Sequence, residues 1–405
     1  MIEVEAAQAR ILAGLAPAAR ETVSLAAAHG RVLAAPIRAR LTQPPARLSA
    51  MDGYAVRARD ATAGSRLRLA GESAAGHPYM GAMPPHSAVR VSTGSVMPDD
   101  ADAVVLQEDT SREDAFVLLA EGGQPGRHIR MPGQDFHEGE VLLEQGVRLN
   151  ARSLALIAAA NHPWVSVYRR PVVAVLATGD ELALPGEAMP AGGVISSNGH
   201  ALAGLIRAAG ADPHLLPLAA DTPEAIGAAL AEARGADLLV TIGGASVGDH
   251  DLVQRVLAAH GLELDFWKVA MRPGKPLMHG RIGEMPLLGL PGNPVSAYVC
   301  GVLFLRPALS RLAGDVRGVG LLDRELEPAM LGRTIRANDR RAEFLRASLH
   351  RDERGTLVAT PALDQASSLL RVLVASDALI FRPPHAPETA IGSPVPVLRL
   401  DRPDP

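Results

Sequence analysis

Two lysines and a set of scattered carboxylates are the residues of this chain best suited to chemistry. Of its 40 basic side chains 38 are arginine, and the two lysines, Lys268 and Lys275, fall together. Two residues placed at random would lie this close in roughly 3–4% of such chains. The segment Phe266-Trp267-Lys268-Val269-Ala270-Met271-Arg272-Pro273-Gly274-Lys275-Pro276 is therefore read as a place where compact ammonium groups, with Arg272 between them, neutralise an anion. Carboxylates stand at comparable punctuation points: Glu181 in Thr178-Gly179-Asp180-Glu181, Asp221 after one apolar run, Asp249 and Asp251 after another. Acids so placed hold a hard cation such as Mg2+ by one or two ligands while substrate phosphates supply others, which makes Glu181, Asp221 and Asp251 the candidate metal ligands. Taken singly, Asp221 reads equally as a helix N-cap and Asp251 as a first-turn acid.

Two turns could bring backbone donors to the same place. Thr241-Ile242-Gly243-Gly244-Ala245-Ser246-Val247-Gly248 follows an apolar strand and precedes a helix. Gly243, Gly244 and Ser246 form there either an anion cradle of N–H groups or a tight turn with no ligand. In Pro291-Gly292-Asn293-Pro294, Asn293 suits a helix N-cap and Pro294 the first helical position. The functional addition is that the N–H groups of Val295 and Ser296 would face the same rim. Further upstream, Asp52 before Gly53, Thr93 before Gly94 and Asp135 after Gly133-Gln134 are turn residues by default. There is no HExxH, P-loop or G-x-S-x-G spacing.

The elements that must position these residues change texture along the chain. Residues 1–40 carry helical spacing (Leu12, Leu15, Val23, Leu25, Ala26) with Gly30 as a stop, and ARSLALIAAAN near 150–160 returns to helix. Together 1–40 and 138–168 read as a helical connecting domain. Between them, 41–137 has short apolar runs cut by Gly, Pro and Asp, an inserted β-rich domain. From 169 to 314 strands alternate with helices at 199–209, 222–234 (opened by Asp221), 251–259 and 294–312, which predicts a doubly wound α/β domain with a parallel-type sheet. In such a sheet, ligands bind beyond the carboxyl ends of the strands, where the acids and turns above would converge. Residues 315–405 read as a small C-terminal β-barrel.

Composition excludes several classes. With 405 residues, 47% hydrophobic and 21% charged side chains, the chain is globular and multidomain. A formal net charge of −4 gives no electrostatic reason to expect a nucleic-acid partner. Cys300 is the only cysteine, which rules out an internal disulfide and a multi-thiolate zinc site and fits a reducing compartment. The acids Glu3 and Glu5 do not suit a secretory leader and no long apolar run suggests a membrane span, so a cytoplasmic protein is expected.

Eight blocks occur in one order: SAMDGYAV (49–56), STG with ADAVVLQED (92–94, 101–109), RMPGQD (130–135), ATGDEL (177–182), IGGASVGDHD (242–251), FWKVAMRPGKP (266–276), GLPGNPVSA (289–297), and RRAEFLRA with QASS (340–347, 365–368). In these the chain resembles the molybdopterin molybdenumtransferase family, which includes the E domain of gephyrin. The resemblance implies four domains in a homodimer, with the β module of one subunit facing the α/β domain of its mate. It further implies insertion of molybdate into adenylated molybdopterin with release of AMP, requiring Mg2+. The positions it carries over are Asp52, Thr93, Arg130, Asp135, Glu181, Asp221, Asp251, Lys268, Arg272, Pro291 and Pro294. Arg272 departs from the lysine frequent there, and QASS lacks the glycine that commonly separates Gln from Ser. The alternative of a non-catalytic scaffold on the same fold follows from gephyrin's role in clustering.

Overall fold

The computed structural model describes residues 1–243, 252–316 and 322–400. Its centre is a six-stranded sheet in the order Asp212–Leu215, Val172–Ala177, Leu238–Ile242, Met285–Leu290, Met278–Ile282, Leu262–Trp267. The first four strands are parallel. The last two join antiparallel because Met278–Ile282 and Met285–Leu290 form a hairpin, to which the edge strand Leu262–Trp267 adds. Only part of the sheet is thus of the parallel kind that the alternation of strands and helices suggested.

Side-chain alternation splits this sheet's apolar residues between two cores. Val173, Val175, Val240 and Ile242 face the helix Asn198–Ala208 and the long helical run from Pro294, while Ala174, Leu176 and Leu239 face Pro223–Glu232 and Leu252–Ala259. The run Pro294–Leu312 has a mean hydropathy of 1.3 and is long enough to cross a membrane, but 83% of it is buried inside the protein. It is a core helix, divided into Pro294–Cys300, a wide π-type stretch Gly301–Leu305, and Arg306–Leu312. Cys300 is fully buried in it, and burial pushes its thiol pKa far up, so it is not a nucleophile.

The opening residues differ from the helical reading. After the helix Val4–Ala13 the chain forms a strand, Arg20–Ser24, paired antiparallel with Trp164–Tyr168. Val23 faces Val165 in that ladder, and Leu25 begins a single 3-10 turn, Leu25–Ala27. The β-branched pair Thr22-Val23 prefers a half-buried ladder to a helix. Gly30 does not end a helix. The β-rich module is a second six-stranded sheet around Gly53–Val56 and Ser87–Val91. Its flanking segments Ile37–Arg38 and Val141–Leu143 pair with each other.

The C-terminal strands close into a barrel: the sheet runs from Ala342–Arg351 through Leu357–Pro361, Glu327–Leu331 and Pro394–Arg399 to Ala378–Arg382, which pairs back onto Ala342–Arg351. Ala347, Ile380 and Val397 fill its interior. Phe344, Leu379 and Leu398 face outward and join the main α/β core. A two-residue strand, Met271–Arg272, adds parallel to Ala342–Glu343, so the segment bearing the lysines is also stitched to the barrel.

Candidate functional site

The strand Val172–Ala177 is flanked by its two successors, Asp212–Leu215 on one side and Leu238–Ile242 on the other. The chain leaves these two carboxyl ends in opposite directions, the switch point beyond which open α/β sheets bind ligands. Three of the expected turns meet here. Thr178 N–H donates to Ile242 O at 3.5 Å and Gly243 N–H donates to Leu290 O at 3.1 Å. Gly243 has φ +85°, and a Cβ on it would stand 3.4 Å from Thr178 O. A Cβ on Gly292 would lie 3.7 Å from Gly243 Cα. Gly244, Ser246, Asp249 and Asp251 lie outside the described residues.

Three acids gather on this rim. Asp180 Oδ1 accepts from Asp221 N–H at 3.0 Å. The Glu181 carboxylate folds back against Gly179, whose Cβ, if it had one, would be 2.5 Å from Oε2. The carboxyl of Asp221 is pushed above the usual carboxylate range, first by partial burial and then by the charges of Asp180 and Glu181. Asp221 is not the helix cap that its position allowed: Thr222 takes that place, its hydroxyl accepting from Ala225 N–H at 3.2 Å, and Pro223 opens the helix. Asp180 was not among the candidate residues, although its place between Gly179 and Glu181 was a signal.

The basic segment folds back on itself. Lys268 N–H donates to Leu277 O at 3.0 Å and Val269 N–H to Lys275 O at 2.9 Å, so both lysines belong to one closed loop. Lys268 Nζ sits 4.3 Å from the centroid of the Trp267 ring, a cation–π contact. Arg272 points elsewhere, 4.0 Å from Glu343 of the barrel. There it lines a cleft of about 390 Å3 together with Arg333, Arg336 and Glu343. Arg333 is held by donation to Pro361 O at 2.9 Å. Three guanidinium groups against one carboxylate make this cleft suited to an oxyanion.

The Pro291-Gly292-Asn293-Pro294 turn overturns one expectation. Pro294 does open the helix, but the Asn293 side chain makes no capping bond. Val295 N–H donates to Ser367 O at 3.1 Å, and Val295 and Ser296 are both buried. The Val295 donor is committed to the barrel's QASS loop rather than to the rim. Pro291 is buried beside the turn, and Gly292 O accepts from Asn198 Nδ2 at 2.7 Å.

A second group forms in the β module. Ser49 N–H donates to Ser95 O at 2.9 Å, Gly94 N–H to Ser49 O at 2.8 Å and Ala50 N–H to His128 O at 2.8 Å. These bonds draw together the segments that carry Asp52, Thr93 and Arg130. Asp52 Oδ1 accepts from Thr93 N–H at 2.6 Å and from Thr93 Oγ1 at 3.0 Å. The two bonds, backbone first, hold the Asp52 carboxyl below its ordinary range. Arg130 is exposed on a strand, Ile129–Arg130, opposite Leu48. Asp135 is exposed, its N–H donating to Gln43 O at 3.0 Å. Among the described residues no hydrogen bond or ion pair joins this group to the acid rim.

Comparison with known proteins places the whole arrangement. Family models described as the MoeA N-terminal region (domain I and II), a probable molybdopterin binding domain and the MoeA C-terminal region (domain IV) match residues 2–161, 174–311 and 328–400. A molybdopterin molybdenumtransferase of Nostoc is 39% identical over 74% of this chain and 70% of its own length. Molybdopterin molybdenumtransferase 2 of Mycobacterium tuberculosis is 35% identical over 96% of this chain and 98% of its own. The crystal structure of a molybdopterin biosynthesis MoeA protein from Pyrococcus horikosii superposes with a TM-score of 0.84 at 28% identity, covering 99% of this chain and 100% of that one. The eight sequence blocks, the four-part architecture and these likenesses agree, and the chain belongs to the molybdopterin molybdenumtransferase family, enzymes of molybdenum cofactor biosynthesis.

Proposed function

We propose that the protein inserts molybdate into adenylated molybdopterin, releasing AMP and the molybdenum cofactor. The observation that carries this reading is the rim itself, where Asp180 Oδ1 accepts from Asp221 N–H and the Glu181 carboxylate folds back against Gly179, and where burial first, then the charges of Asp180 and Glu181, raise the Asp221 pKa. Carboxylates that share no ion pair among the described residues, beside the Gly243 turn, suit a divalent cation shared with a substrate phosphate.

Mg2+ fits this donor set. Among the described residues no three His, Cys, Asp or Glu side chains form a metal cage, yet Mg2+ is usually held by one or two carboxylates plus phosphate and water. Glu181 and Asp221 would hold it, and Asp251 is proposed as the third acid. When bound, it would neutralise phosphate charge at the scissile anhydride. Asp221, whose raised pKa belongs to the metal-free rim, would be ionised once it holds the cation, which relieves the repulsion from Asp180 and Glu181.

Molybdate is a tetrahedral dianion. Lys268 and Lys275 would supply charge for it, while Arg272 would bind oxyanion charge separately, at the three-arginine cleft. The dithiolene thiols of the pterin would replace molybdate oxygens, which leave as water with the thiol protons, and one water would be consumed in cleaving the anhydride to AMP and the pterin phosphate, so no protein nucleophile is needed. That agrees with the buried, inert Cys300. Thr93, Arg130, Gly243, Gly244, Ser246, Pro291 and Pro294 would shape and bind the adenylated pterin, and Asp52 and Asp135 would contribute carboxylates from the β module. Because the β-module group and the acid rim share no bond among the described residues, we propose a homodimer in which they meet across subunits, working in the cytoplasm without nucleic-acid or membrane partners. The test is direct: purified protein with adenylated molybdopterin, molybdate and Mg2+ should yield AMP and active cofactor. A protein that binds the pterin but releases no molybdate-dependent AMP would be the scaffold instead.

A further inference from the structure

Six described non-glycine residues have positive φ: His86, Asp114, His128, Asn161, Lys268 and His385. Five are His, Asp or Asn, the types that most readily enter the left-handed region. Lys268, at φ +87°, is the exception, so something must hold it there. Its N–H is held by Leu277 O. Its carbonyl is held by the start of the chain: Ile2 N–H donates to Lys268 O at 3.1 Å, and Ile2 O in turn accepts from Ala270 N–H at 2.8 Å. Ile2 bridges Val269 in parallel and packs its side chain on the main core, where Val269 is fully buried. The helix that follows anchors this strand. Arg10 lies 3.5 Å from Asp265 on the edge strand, and buried Gln8 donates to Leu303 O at 2.7 Å.

We propose that Ile2 is a positioning residue for Lys268, fixing the left-handed backbone that carries the ammonium over Trp267 and toward the anion. The inference rests on the reading of Lys268 as a molybdate-binding residue. A strand from the far end of the chain thereby sets the geometry of a side chain in the α/β domain.

The test uses the full-length chain with a short N-terminal extension, so that position 2 stays internal. Ile2→Pro removes the donor to Lys268 O. It should raise KM for molybdate by about three- to tenfold, the range that one backbone hydrogen bond spans, with KM for the adenylated pterin unchanged. Ile2→Val, which keeps the donor, should leave both KM values at those of the wild type. In the double variant with Lys268→Ala, Ile2→Pro should add no further loss, since both act through one ammonium. Additive losses, or equal losses for both substrates, would overturn the proposal. Lys268→Ala without effect would sink the Lys268 reading itself, whereas a normal Ile2→Pro beside an impaired Lys268→Ala would sink only the role of Ile2. Should Ile2→Pro fail to fold, Ile2→Asn, which loosens the strand by removing its apolar anchor, carries the same comparison.

Discussion

Asp221 carries the cost of its neighbours. Its carboxyl is raised by burial and by Asp180 and Glu181, so without a cation the ionised form is disfavoured in the fold. The sign follows: the penalty is absent at low pH, where Asp221 is protonated, and appears as pH rises through its raised pKa. Asp221→Asn should therefore make the metal-free protein slightly more stable at pH 8, by less than about 1 kcal/mol because the group is largely solvated. The advantage should vanish toward pH 4. The same variant should lose most of the Mg2+-dependent rise in Tm that ligand binding gives the wild type. Thermal unfolding at several pH values, with and without Mg2+, checks both; a metal-free variant less stable than wild type at pH 8 would contradict the repulsion. The sequence marked Asp221 as a rim acid because it ends a strand. It could not show that Thr222 takes the cap, since Asp and Thr suit that position almost equally and Pro223 decides where the helix begins.

Helices and strands show the same division. The run from Pro294 was legible because nineteen residues with so few charges must be buried somewhere. Its π-type stretch was not, because what accompanies it comes from elsewhere: buried Gln8 donates to Leu303 O at 2.7 Å and accepts from Leu322 N–H at 3.1 Å. Gln8→Leu would remove the side-chain bonds to the Leu303 carbonyl and to the Leu322 N–H, and leaving a buried backbone group unsatisfied costs about 1–3 kcal/mol. We expect a loss of about 2–4 kcal/mol in the first unfolding transition, measured with urea; a change within about 0.5 kcal/mol, the scale of a neutral surface substitution, would show that other groups take over both bonds. The spacing over Arg20–Ser24 suggests helix where the fold has a strand, for a related reason. Its partner, Trp164–Tyr168, lies far along the chain, and a five-residue ladder leaves too short a period to overrule helical spacing nearby.

Across the molecule, Arg148 ties the parts together. Its guanidinium reaches Asp315 at 2.9 Å, Gly30 O at 2.9 Å and Ala209 O at 3.2 Å, joining the connecting region to the α/β domain. The succession of architectures was readable from texture alone. The commitment of Val295 N–H to Ser367 was not, because it is decided by how the barrel docks. If the β-module group serves the mate's rim, Asp52→Ala and Asp135→Ala should each fold normally yet abolish molybdate-dependent AMP release. Mixing Asp52→Ala with Asp251→Ala protein under exchange conditions should restore activity, since one composite site in each mixed dimer has both halves intact. No recovery after verified subunit exchange would place each site within one chain.

The scarcity of lysine has a practical side. Lys268 and Lys275 close one loop and are the chain's only side-chain amines. Reductive methylation with isotopically enriched formaldehyde would thus install reporters at that loop and at the amino terminus alone, leaving every arginine untouched. A carbon-13 spectrum of the tagged protein would hold a handful of resonances, each a local witness to charge and solvent at the place where the oxyanion is expected to arrive.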